Sequence, residues 1–595
     1  MIENIDKEVT NSICFTISIN GESIPESYVV ESIYILKEVN KISYAKFNVY
    51  EEGIIESNFE VSNAGNFKPG NDVEIKLGHD NRSTLVFKGI ITSHGLRLNK
   101  NRSVISIECR DEAIKLTAGR KSAVFEKKKD SEIIAEVLKS YSLKKDIQAT
   151  TVEHAEVVQH YCSDWDFIMM RAETCGLMVT TDNGKLVAKK PELSESAELE
   201  VTYGKNMISF SADIDSKNQY KSVTSLSWDI ANQKLLKSSS KSSGEVEVGN
   251  QKTAMLSEII GGSEYFLQSS INMPTDALEA WASAKQLKSN LSKVKGKVEF
   301  YGNAKVEPAS LLKISGLSDY FNGTAFVGGV EHIVEAGDWR TTAYLGTNFE
   351  WYTEETYMID PPSASGLVAP FKGLAIGIVK QIDQDKDGQY RIKVSFPTLQ
   401  KDNLSVWARL ANFYATKEAG VFFYPEINDE VVVGFLNEDP QHPVIMGMLY
   451  SSKNKTPFPP DKDNKIKAIV TKSKLIIQFD DKDKIIEIVT PGKNSIQIDD
   501  KNKQILITDE NKNKFLLSKD GVSIETEKDF VVKAKGKITL ESTQDLSLKA
   551  SSGDLKGEGM NVALEGKTKF AAKGAMAEVN GSGQTTIKGG MVMIN

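Results

Sequence analysis

An eight-residue repeat near the C-terminus constrains the fold of this chain more than any other feature of its sequence. From residue 522 the sequence divides into blocks of eight, beginning VSIETEKD, FVVKAKGK, ITLESTQD and LSLKASSG. The first and third positions are apolar in most blocks, as in Val522/Ile524, Phe530/Val532, Ile538/Leu540, Leu546/Leu548, Val562/Leu564 and Phe570/Ala572. Because side chains alternate between the two faces of a strand, each block predicts a short strand with one apolar face, followed by a turn.

This repeat has no second apolar layer in the chain against which it could pack. A single layer would leave a long apolar stripe in water, although burying each Val, Ile or Leu is worth about 1.5–3 kcal/mol. Three copies wound around one axis would close a prism without free sheet edges, and the outward acids and lysines would be a solvated surface. A single-chain β-solenoid is the alternative, but its coils usually need about 20 residues. We therefore predict an intertwined trimeric β-prism needle over residues 466–595, with looser strands such as KIIEIV and SIQI at its start.

The last residues of the chain predict a binding surface for another protein. The final thirty or so residues are rich in Gly, Ala and Ser, so the chains could approach closely and the needle would narrow. The sequence then ends on an apolar stretch: Met591, Val592, Met593, Ile594 and Asn595. Three copies of it would form an apolar blunt end, which favours a cap supplied by a separate protein.

The rest of the chain reads as mainly β domains with a few helices. At 595 residues it exceeds one hydrophobic core, and about three or four domains are expected. Short β-rich segments broken by helical patterns predict barrel- or sandwich-like β structure with helical insertions before about residue 360. Ser163 is a predicted helix N-cap with Asp166 completing a capping box, and Gly176 and Gly296 are predicted helix stops. Proline-bearing linkers at 360–370 and 451–465 flank a strand-rich domain at 371–455.

Composition excludes several classes of function. The net charge of −8 offers no basic stripe for nucleic acid. Four cysteines in so long a chain do not form a disulfide framework and fit synthesis in a reducing compartment. The acidic N-terminus is unlike a signal peptide, and no run reaches the eighteen or so apolar residues of a membrane helix.

An acidic passage at 424–450, YPEINDEVVVGFLNEDPQHPVIMGMLY, is the most enzyme-like part of the sequence. Its acids number five: Glu426, Asp429, Glu430, Glu438 and Asp439. A glycosidase pair needs one acid whose pKa is raised in an apolar pocket, whereas acids in proline-flanked turns are usually solvated. We interpret VVVGF and PVIMGMLY as barrel strands and the passage as a joint, and we predict no catalytic residues.

Two other groups resemble metal sites only in part. The stretch DQDKDG at 383–388 starts like a calcium loop, but Val394 stands where a bidentate Glu is required, so a hairpin turn is the better interpretation. The set His154, His160, Cys162 and Cys175 lacks the short ligand spacing of zinc sites. We therefore predict no metal and no cofactor.

With these parts in order, the chain resembles the VgrG family, the trimeric spikes of type VI secretion systems and related contractile injectors. The hub-like motifs are FKPGNDVEIKLG, LVFKGIIT and SDWDFIMMRAETCGLMV. The stretches GLAIGIVKQIDQDKDGQYRIKVSFP and VWARL, with the acidic passage, look like that family's OB barrel, and the repeats look like its needle.

The resemblance implies a barrel-like hub over residues 1–360, in two subdomains with helical insertions, within a homotrimer that docks on a hexameric tube protein and contacts baseplate components. We predict that this spike is not an enzyme. The resemblance also implies a PAAR-type cap on the needle, effector cargo, and mechanical puncture of a target membrane. The protein would be assembled in the cytoplasm and exported by the machine without a signal peptide. The alternatives are the hub–spike of an extracellular injector or contractile phage, a cell-wall-degrading spike, which would need a domain larger than residues 451–465, and a trimeric adhesin.

Overall fold

Short strands dominate the protein, as the predicted mainly β fold class requires. The computed structural model describes residues 3–4, 12–51, 59–80, 82–99, 102–241, 244–262, 264–357, 359–399 and 405–594. The chain divides into two compact units, residues 1–449 and 450–595. No helix in the described ranges is both long and apolar enough to span a membrane.

The first unit contains the hub strands and the helices. The strands up to residue 345 are β1 (Glu3–Asn4), β2 (Ile13–Ile19), β3 (Glu22–Ser23), β4 (Val30–Glu38), β5 (Tyr44–Tyr50), β6 (Asp72–His79), β7 (Arg82–Asn99), β8 (Arg102–Arg110), β9 (Lys121–Lys129), β10 (Lys144–Ile147), β11 (Glu153–Cys162), β12 (Met178–Asp182), β13 (Lys185–Lys189), β14 (Leu199–Thr202), β15 (Met207–Ile214), β16 (Ser222–Asp229), β17 (Lys234–Ser239), β18 (Glu264–Ser269), β19 (Val294–Tyr301), β20 (Leu311–Ser315), β21 (Gly323–Glu335) and β22 (Asp338–Leu345). The helices are α1 (Glu60–Asn63), α2 (Asp130–Val137), α3 (Asp164–Thr174), α4 (Thr253–Ile259), α5 (Thr275–Leu291) and α6 (Tyr352–Glu355).

Strand β21 joins the two β-rich halves of the hub. It pairs antiparallel with β20, β22 and β4, so that one continuous sheet runs through both halves. One apolar core lies on the β2 and β4–β8 side and includes Phe47, Ile75 and Phe87. A second core, which includes Val298 and Phe326, lies among β14, β19–β22 and α5. Long-range pairing through a shared strand therefore holds together two cores that are distant in sequence.

A third core forms around helices α2 and α3, where the helix signals read from the sequence can be checked. Ser163 caps α3, its Oγ accepting a hydrogen bond from the backbone N–H of Asp166 at 3.1 Å. Gly176 follows the helix with φ +70°, a conformation that favours glycine and ends the helix as predicted. Trp165 and Phe167 are buried in this core, as expected.

The predicted role of Gly296 is wrong. Helix α5 ends at Leu291, and Gly296 lies inside strand β19, paired with Ala212 of β15. A Cβ at this position would lie 2.2 Å from the carbonyl oxygen of Ser211. Glycine is therefore required here by the close approach of two strands and not by a helix end.

The predicted OB barrel is confirmed as a closed barrel within the described part of residues 375–448. Its elements are β23 (Ala375–Gln381), β24 (Ile392–Ser395), β25 (Ser405–Leu410), β28 (Glu430–Phe435) and β29 (Pro443–Met448), with the short hairpin β26 (Ala415–Thr416) and β27 (Ala419–Gly420) inserted between β25 and β28. The order around the barrel is β23-β24-β25-β29-β28. Inward residues such as Val379, Val394 and Val433 are fully buried. The VVVGF and PVIMGM stretches of the acidic passage are thus barrel strands.

The second unit is described from residue 450 to 594 and starts with an antiparallel meander. Its strands are β30 (Ile466–Val470), β31 (Ile476–Asp480), β32 (Ile485–Val489), β33 (Ser495–Asp499), β34 (Gln504–Thr508), β35 (Lys514–Ser518) and β36 (Gly521–Glu525). Aspartates such as Asp480, Asp499 and Asp509 begin the turns and accept backbone N–H bonds. Residues 526–594 form no strand within the chain, and residues 527–594 are exposed throughout. The single chain offers these blocks no strand to pair with, and it does not close the coils of a solenoid.

Candidate functional site: an exposed apolar face and the chain end

Strand register places the apolar side chains of the meander in two columns on one face. The first column contains Ile469, Ile477, Ile488, Ile496, Ile507, Phe515 and Ile524. The second contains Phe479, Ile486, Ile498, Ile505, Leu517 and Val522. Each side chain lies directly opposite its neighbour in the column, so the columns form a continuous apolar surface.

The two faces of this sheet differ in character. The opposite face is mixed: its central column includes the polar residues Gln478, Glu487 and Gln497 but continues through Leu506 and Leu516. The apolar columns remain substantially exposed in the single chain, and Ile496 keeps 43% of its surface in water. An apolar surface of this extent on a folded protein indicates a binding face.

The spacing of apolar residues changes at the end of the meander. Ile477 pairs with Ile469 across one turn and with Ile488 across the next, which are eight and eleven residues away. This short–long alternation is what antiparallel strands produce, because each turn reverses the chain. In the blocks from residue 522, both apolar columns instead recur at a constant spacing of eight, as in Phe530 and Ile538. A constant spacing is expected of strands that all run in the same direction.

The predicted tip residues lie at the end of this segment. Met591, Val592, Met593 and Ile594 are all exposed, Val592 the least at 49%. Asn595, the fifth predicted tip residue, lies outside the described residues. Residues 526–594 form no helix or strand that covers this apolar end within the single chain.

The acidic passage does not form a pair of facing carboxylates. Asp429 accepts the backbone N–H of Glu426 at 2.8 Å and stabilises the turn before β28. Asp439 accepts the backbone N–H of Gln441 at 2.8 Å and is only 7% exposed. The expectation that these acids are solvated is therefore wrong for Asp439, which is buried because it caps its own loop.

The DQDKDG stretch forms the loop between the antiparallel strands β23 and β24, as the hairpin interpretation predicted. Arg391 donates to Asp385 through Nε at 3.0 Å and Nη2 at 2.6 Å, and it also contacts Asp387. This guanidinium holds the pKa of Asp385 far below its ordinary value. The carboxylates that would bind calcium are thus engaged by an internal cation.

Two members of the His/Cys set, which the sequence does not favour as a zinc site, meet at one aspartate. His154 and Cys175 both contact the buried Asp130, at 2.8 and 3.1 Å, whereas His160 is exposed elsewhere on β11. Arg171 donates to the second oxygen of Asp130 at 2.6 Å. Burial opposes ionisation of Asp130, but the bond from His154 and the charge of Arg171 outweigh it and lower its pKa. Across the described ranges, no three His, Cys, Asp or Glu residues are arranged to hold a metal ion.

A buried lysine forms a second polar feature of the hub that sequence reasoning missed. The Nζ atom of Lys285 donates to the carbonyl oxygen of Phe349 at 2.8 Å and lies 3.7 Å from the centre of the Phe349 ring. The Trp351 ring is 4.7 Å away. Burial lowers the pKa of Lys285 to about 8. It contacts aromatic rings and backbone and lies 3.9 Å from a carboxylate oxygen of Glu354, and these contacts anchor the segment after β22 to α5.

The hub also has an open groove of about 940 Å³, lined in part by Tyr34, Tyr44, Arg110, Trp165 and Tyr352. Tyr34 and Tyr344 both donate to Glu331, at 2.9 and 3.1 Å. Nearby charges pair with one another, as in Lys41 with Glu38. The groove is aromatic in lining and its ionic groups serve mainly as structural pairs.

Comparison with known proteins supports the interpretation of the barrel as an OB domain. Residues 375–450, which form the barrel, match the model described as the type VI secretion system/phage-baseplate injector OB domain. The protein therefore carries an injector-type OB domain, and the resemblance to VgrG proteins predicted from the sequence is confirmed. Over more than half of its length, residues 9–336, the chain belongs to the family described as the Alg8 N-terminal domain.

Curated relatives include spike proteins of type VI secretion systems. The chain is 36% identical over 76 residues to VgrG5 of Pseudomonas aeruginosa, covering 12% of this chain and 10% of that protein. It is 36% identical over 80 residues to VgrG3 of Vibrio cholerae, covering 13% and 8%. It is 33% identical over 104 residues to the actin cross-linking toxin VgrG1 of Vibrio cholerae, covering 17% and 9%. The chain thus spans about a tenth of the length of these relatives.

Solved structures with a similar chain trace include tail and secretion proteins. A tail protein from Neisseria meningitidis is 13% identical, with 57% of this chain and 98% of that chain covered and a TM-score of 0.43. A component of the Escherichia coli type VI secretion system is 12% identical, with 73% and 99% covered and a TM-score of 0.37. A chain of the lidded Francisella PdpA–VgrG complex is 9% identical, with 88% and 81% covered and a TM-score of 0.38.

Proposed function

We propose that the protein is the homotrimeric spike of a contractile injection machine, and that residues 466–594 form its needle. The observation that carries this proposal is the constant eight-residue spacing of two apolar columns beyond Glu525. Two neighbouring parallel strands of the same chain must be joined by a crossover of about a dozen residues or more. Consecutive strands in this segment are separated by only a few residues, which is too short for such a crossover. Neighbouring strands in this segment therefore come from different chains.

Burial of the apolar face supports the same conclusion. The two columns of the meander are exposed in the single chain, whereas the opposite face carries Gln478, Glu487 and Gln497 in its central column, which suit contact with water. Three copies arranged around one axis would turn their apolar columns inward and their polar columns outward. The arrangement also leaves no free strand edge along the needle, which prevents growth into larger aggregates.

In this proposal the mechanical role belongs to a narrow, rigid trimeric needle. Contraction of the machine would push the hub, and the needle would concentrate that force on a small area of the target membrane. In this proposal the hub docks on the hexameric tube protein and meets baseplate components. Assembly takes place in the cytoplasm, and the machine then exports the spike.

The exposed chain end is the proposed cap-binding tip. Three copies of Val592 and Ile594 would present an apolar surface to a PAAR-type protein, which would sharpen the needle and carry effectors. The solvent-exposed side chains of Met591–Ile594 support this assignment because they have no cover within the chain.

We further propose that the spike has no catalytic activity of its own. Asp429 and Asp439 serve as turn caps, and the match to a protein named as an actin cross-linking toxin covers only 9% of that protein. The alternatives are the hub–spike of an extracellular injector or contractile phage, or a cell-wall-degrading spike. Cleavage of peptidoglycan or cross-linking of actin by the purified protein would contradict the non-enzymatic proposal.

The mass of the purified full-length chain in solution tests the central claim. One chain has a mass of 65.7 kDa, and the trimer should have three times this mass by sedimentation or light scattering. A monomer at micromolar concentration would refute the spike, because the apolar columns would then be stable in water.

A further inference from the structure

The needle blocks carry a second periodic pattern, on the face opposite the apolar columns. The fourth position of the blocks alternates in sign: Glu525, Lys533, Glu541, Lys549, then, after Gly557, Glu565 and Lys573. The eighth position of the first three blocks alternates in the same way, with Asp529, Lys537 and Asp545. Because side chains alternate along a strand, position four points away from the apolar positions one and three.

These charges find almost no partners inside one chain. Glu525 lies opposite Lys514 in the β35–β36 pair, with 3.9 Å between the charged atoms. Among residues 526–594, the other members of the position-four series form no ion pair within the chain. Two ion pairs involve residues of this range, Lys556 with Asp554 and Glu527 with Lys512, and both lie outside the series. The meander thus contains one favourable cross-strand pair of this series, between Glu525 and Lys514. The following blocks carry the same alternating charges but have no neighbouring strand within the chain.

The proposed trimer supplies that neighbour, and the inference rests on it. If three identical chains wind around one axis and each successive block moves to the next face, every face stacks blocks drawn from the three chains in turn. By threefold symmetry, block n of one chain then lies beside block n + 1 of another. Lys533 of one copy is placed next to Glu525 and Glu541 of its neighbours, and Lys549 is placed next to Glu541.

The apolar columns alone cannot specify this register. Positions one and three are apolar in most blocks, so a slip of one whole block still places apolar beside apolar. The same slip places glutamate beside glutamate and lysine beside lysine at position four, which is unfavourable in directly opposed cross-strand pairs. In the blocks whose first and third positions are apolar, the charged column is what distinguishes the two alignments.

We propose that the alternating charges at position four select the register in which three copies of the needle wind together. The partner of this surface is a second copy of the same chain, displaced by one block. Each exposed ion pair contributes little to the stability of the trimer. The series repeats in all three chains, however, and like charges would oppose every slipped or mismatched alignment.

The test uses two tagged full-length chains expressed together, one of them carrying an inverted series. The inverted chain carries E525K, K533E, E541K, K549E, E565K and K573E, with K514E added to keep the pair with position 525. Two wild-type chains, or two inverted chains, should mix so that about three quarters of trimers contain both tags. Wild-type and inverted chains together should yield mainly trimers that contain a single tag. In a mixed trimer, neighbouring blocks from the two kinds of chain would present like charges to each other.

The outcomes separate this inference from the proposed function. A wild-type chain that does not form trimers overturns the spike proposal and the register inference with it. Wild-type and inverted chains that both form trimers but mix freely overturn the register inference alone. An inverted chain that cannot form trimers also overturns it, because alternation and not the sign at each block is the proposed determinant.

A single substitution provides a second measurement with less risk to folding. K549E places like charges beside Glu541, whereas K567E makes the same change at position six, where the neighbouring blocks carry Gly559 and Ala575. K549E should lower the melting temperature of the trimer more than K567E does, and the difference should shrink near 1 M salt, where screening acts within about 3 Å. Equal effects of the two changes would contradict the inference.

Discussion

Trimer formation through the apolar columns can be tested at two adjacent residues that point to opposite faces of the same strand. Ile496 lies in an apolar column and Gln497 in the polar column, both on β33. Ile496→Ala removes about three carbons, each worth about 0.8 kcal/mol when fully buried. Since 43% of Ile496 remains to be covered in the single chain, the loss is about 1 kcal/mol per subunit.

Three subunits lose about 3 kcal/mol together, which corresponds to about a hundredfold weaker association. The assay is sedimentation equilibrium of the full-length protein over a dilution series at a fixed, sub-denaturing guanidinium concentration. Gln497→Ala is the matched control, and its effect should be small because Gln497 stays in contact with water. Ile496→Asp should abolish trimers altogether, since it would bring three carboxylates together in an apolar interior.

Equal effects of Ile496→Ala and Gln497→Ala would refute the reasoning, because they would show that the apolar face is not the buried one. Unchanged association of Ile496→Asp would refute it more strongly. Circular dichroism of each variant would verify that the β-rich fold is retained.

Three further predictions concern the tip and the hub. Deleting Gly590–Asn595 should abolish co-purification with a PAAR-type cap protein while leaving the trimer mass unchanged, and retained binding would contradict the tip assignment. Asp130→Ala should destabilise the hub by about 3–5 kcal/mol in thermal or urea unfolding, because it removes the buried carboxylate that Arg171 and His154 share and leaves the partly buried Arg171 without its partner, whereas Lys185→Ala at an exposed pair should cost less than about 1 kcal/mol. The pKa of Asp130 lies below its ordinary value of 3.8, so its contribution should be complete above that pH and should be lost as the pH falls below it. The pKa of Lys285 is lowered from 10.5 to about 8, so the folded state releases this proton first and hub stability should rise with pH between these values, a rise that Lys285→Met should remove.

Local sequence patterns were sufficient for the elements whose signals lie within a few residues of each other. The cap at Ser163, the helix stop at Gly176 and the barrel strands of the acidic passage were all predicted correctly. Each depends on alternation, capping or turn chemistry between near neighbours. The eight-residue period likewise needs only the one-dimensional sequence to be recognised.

These local patterns do not predict contacts between residues that are distant in the sequence. Gly296 looks like a helix stop, but the carbonyl oxygen of Ser211 on another strand decides its role. The engagement of Asp385 by Arg391 and the burial of Asp439 in its own loop also depend on how the chain folds back on itself. No periodic pattern in the sequence indicates that Lys285 lies among aromatic rings.

The sequence by itself determined the alternation of apolar and charged positions, because alternation follows from the geometry of a single strand. Only the tertiary structure decided where pairing within one chain stops, at Glu525, and which side of the meander stays uncovered. The physical reason is that a strand's hydrogen bonds and apolar contacts are made with neighbours that its own residues do not specify. Where those neighbours are absent from the chain, the exposed columns show the surface on which further copies would pack.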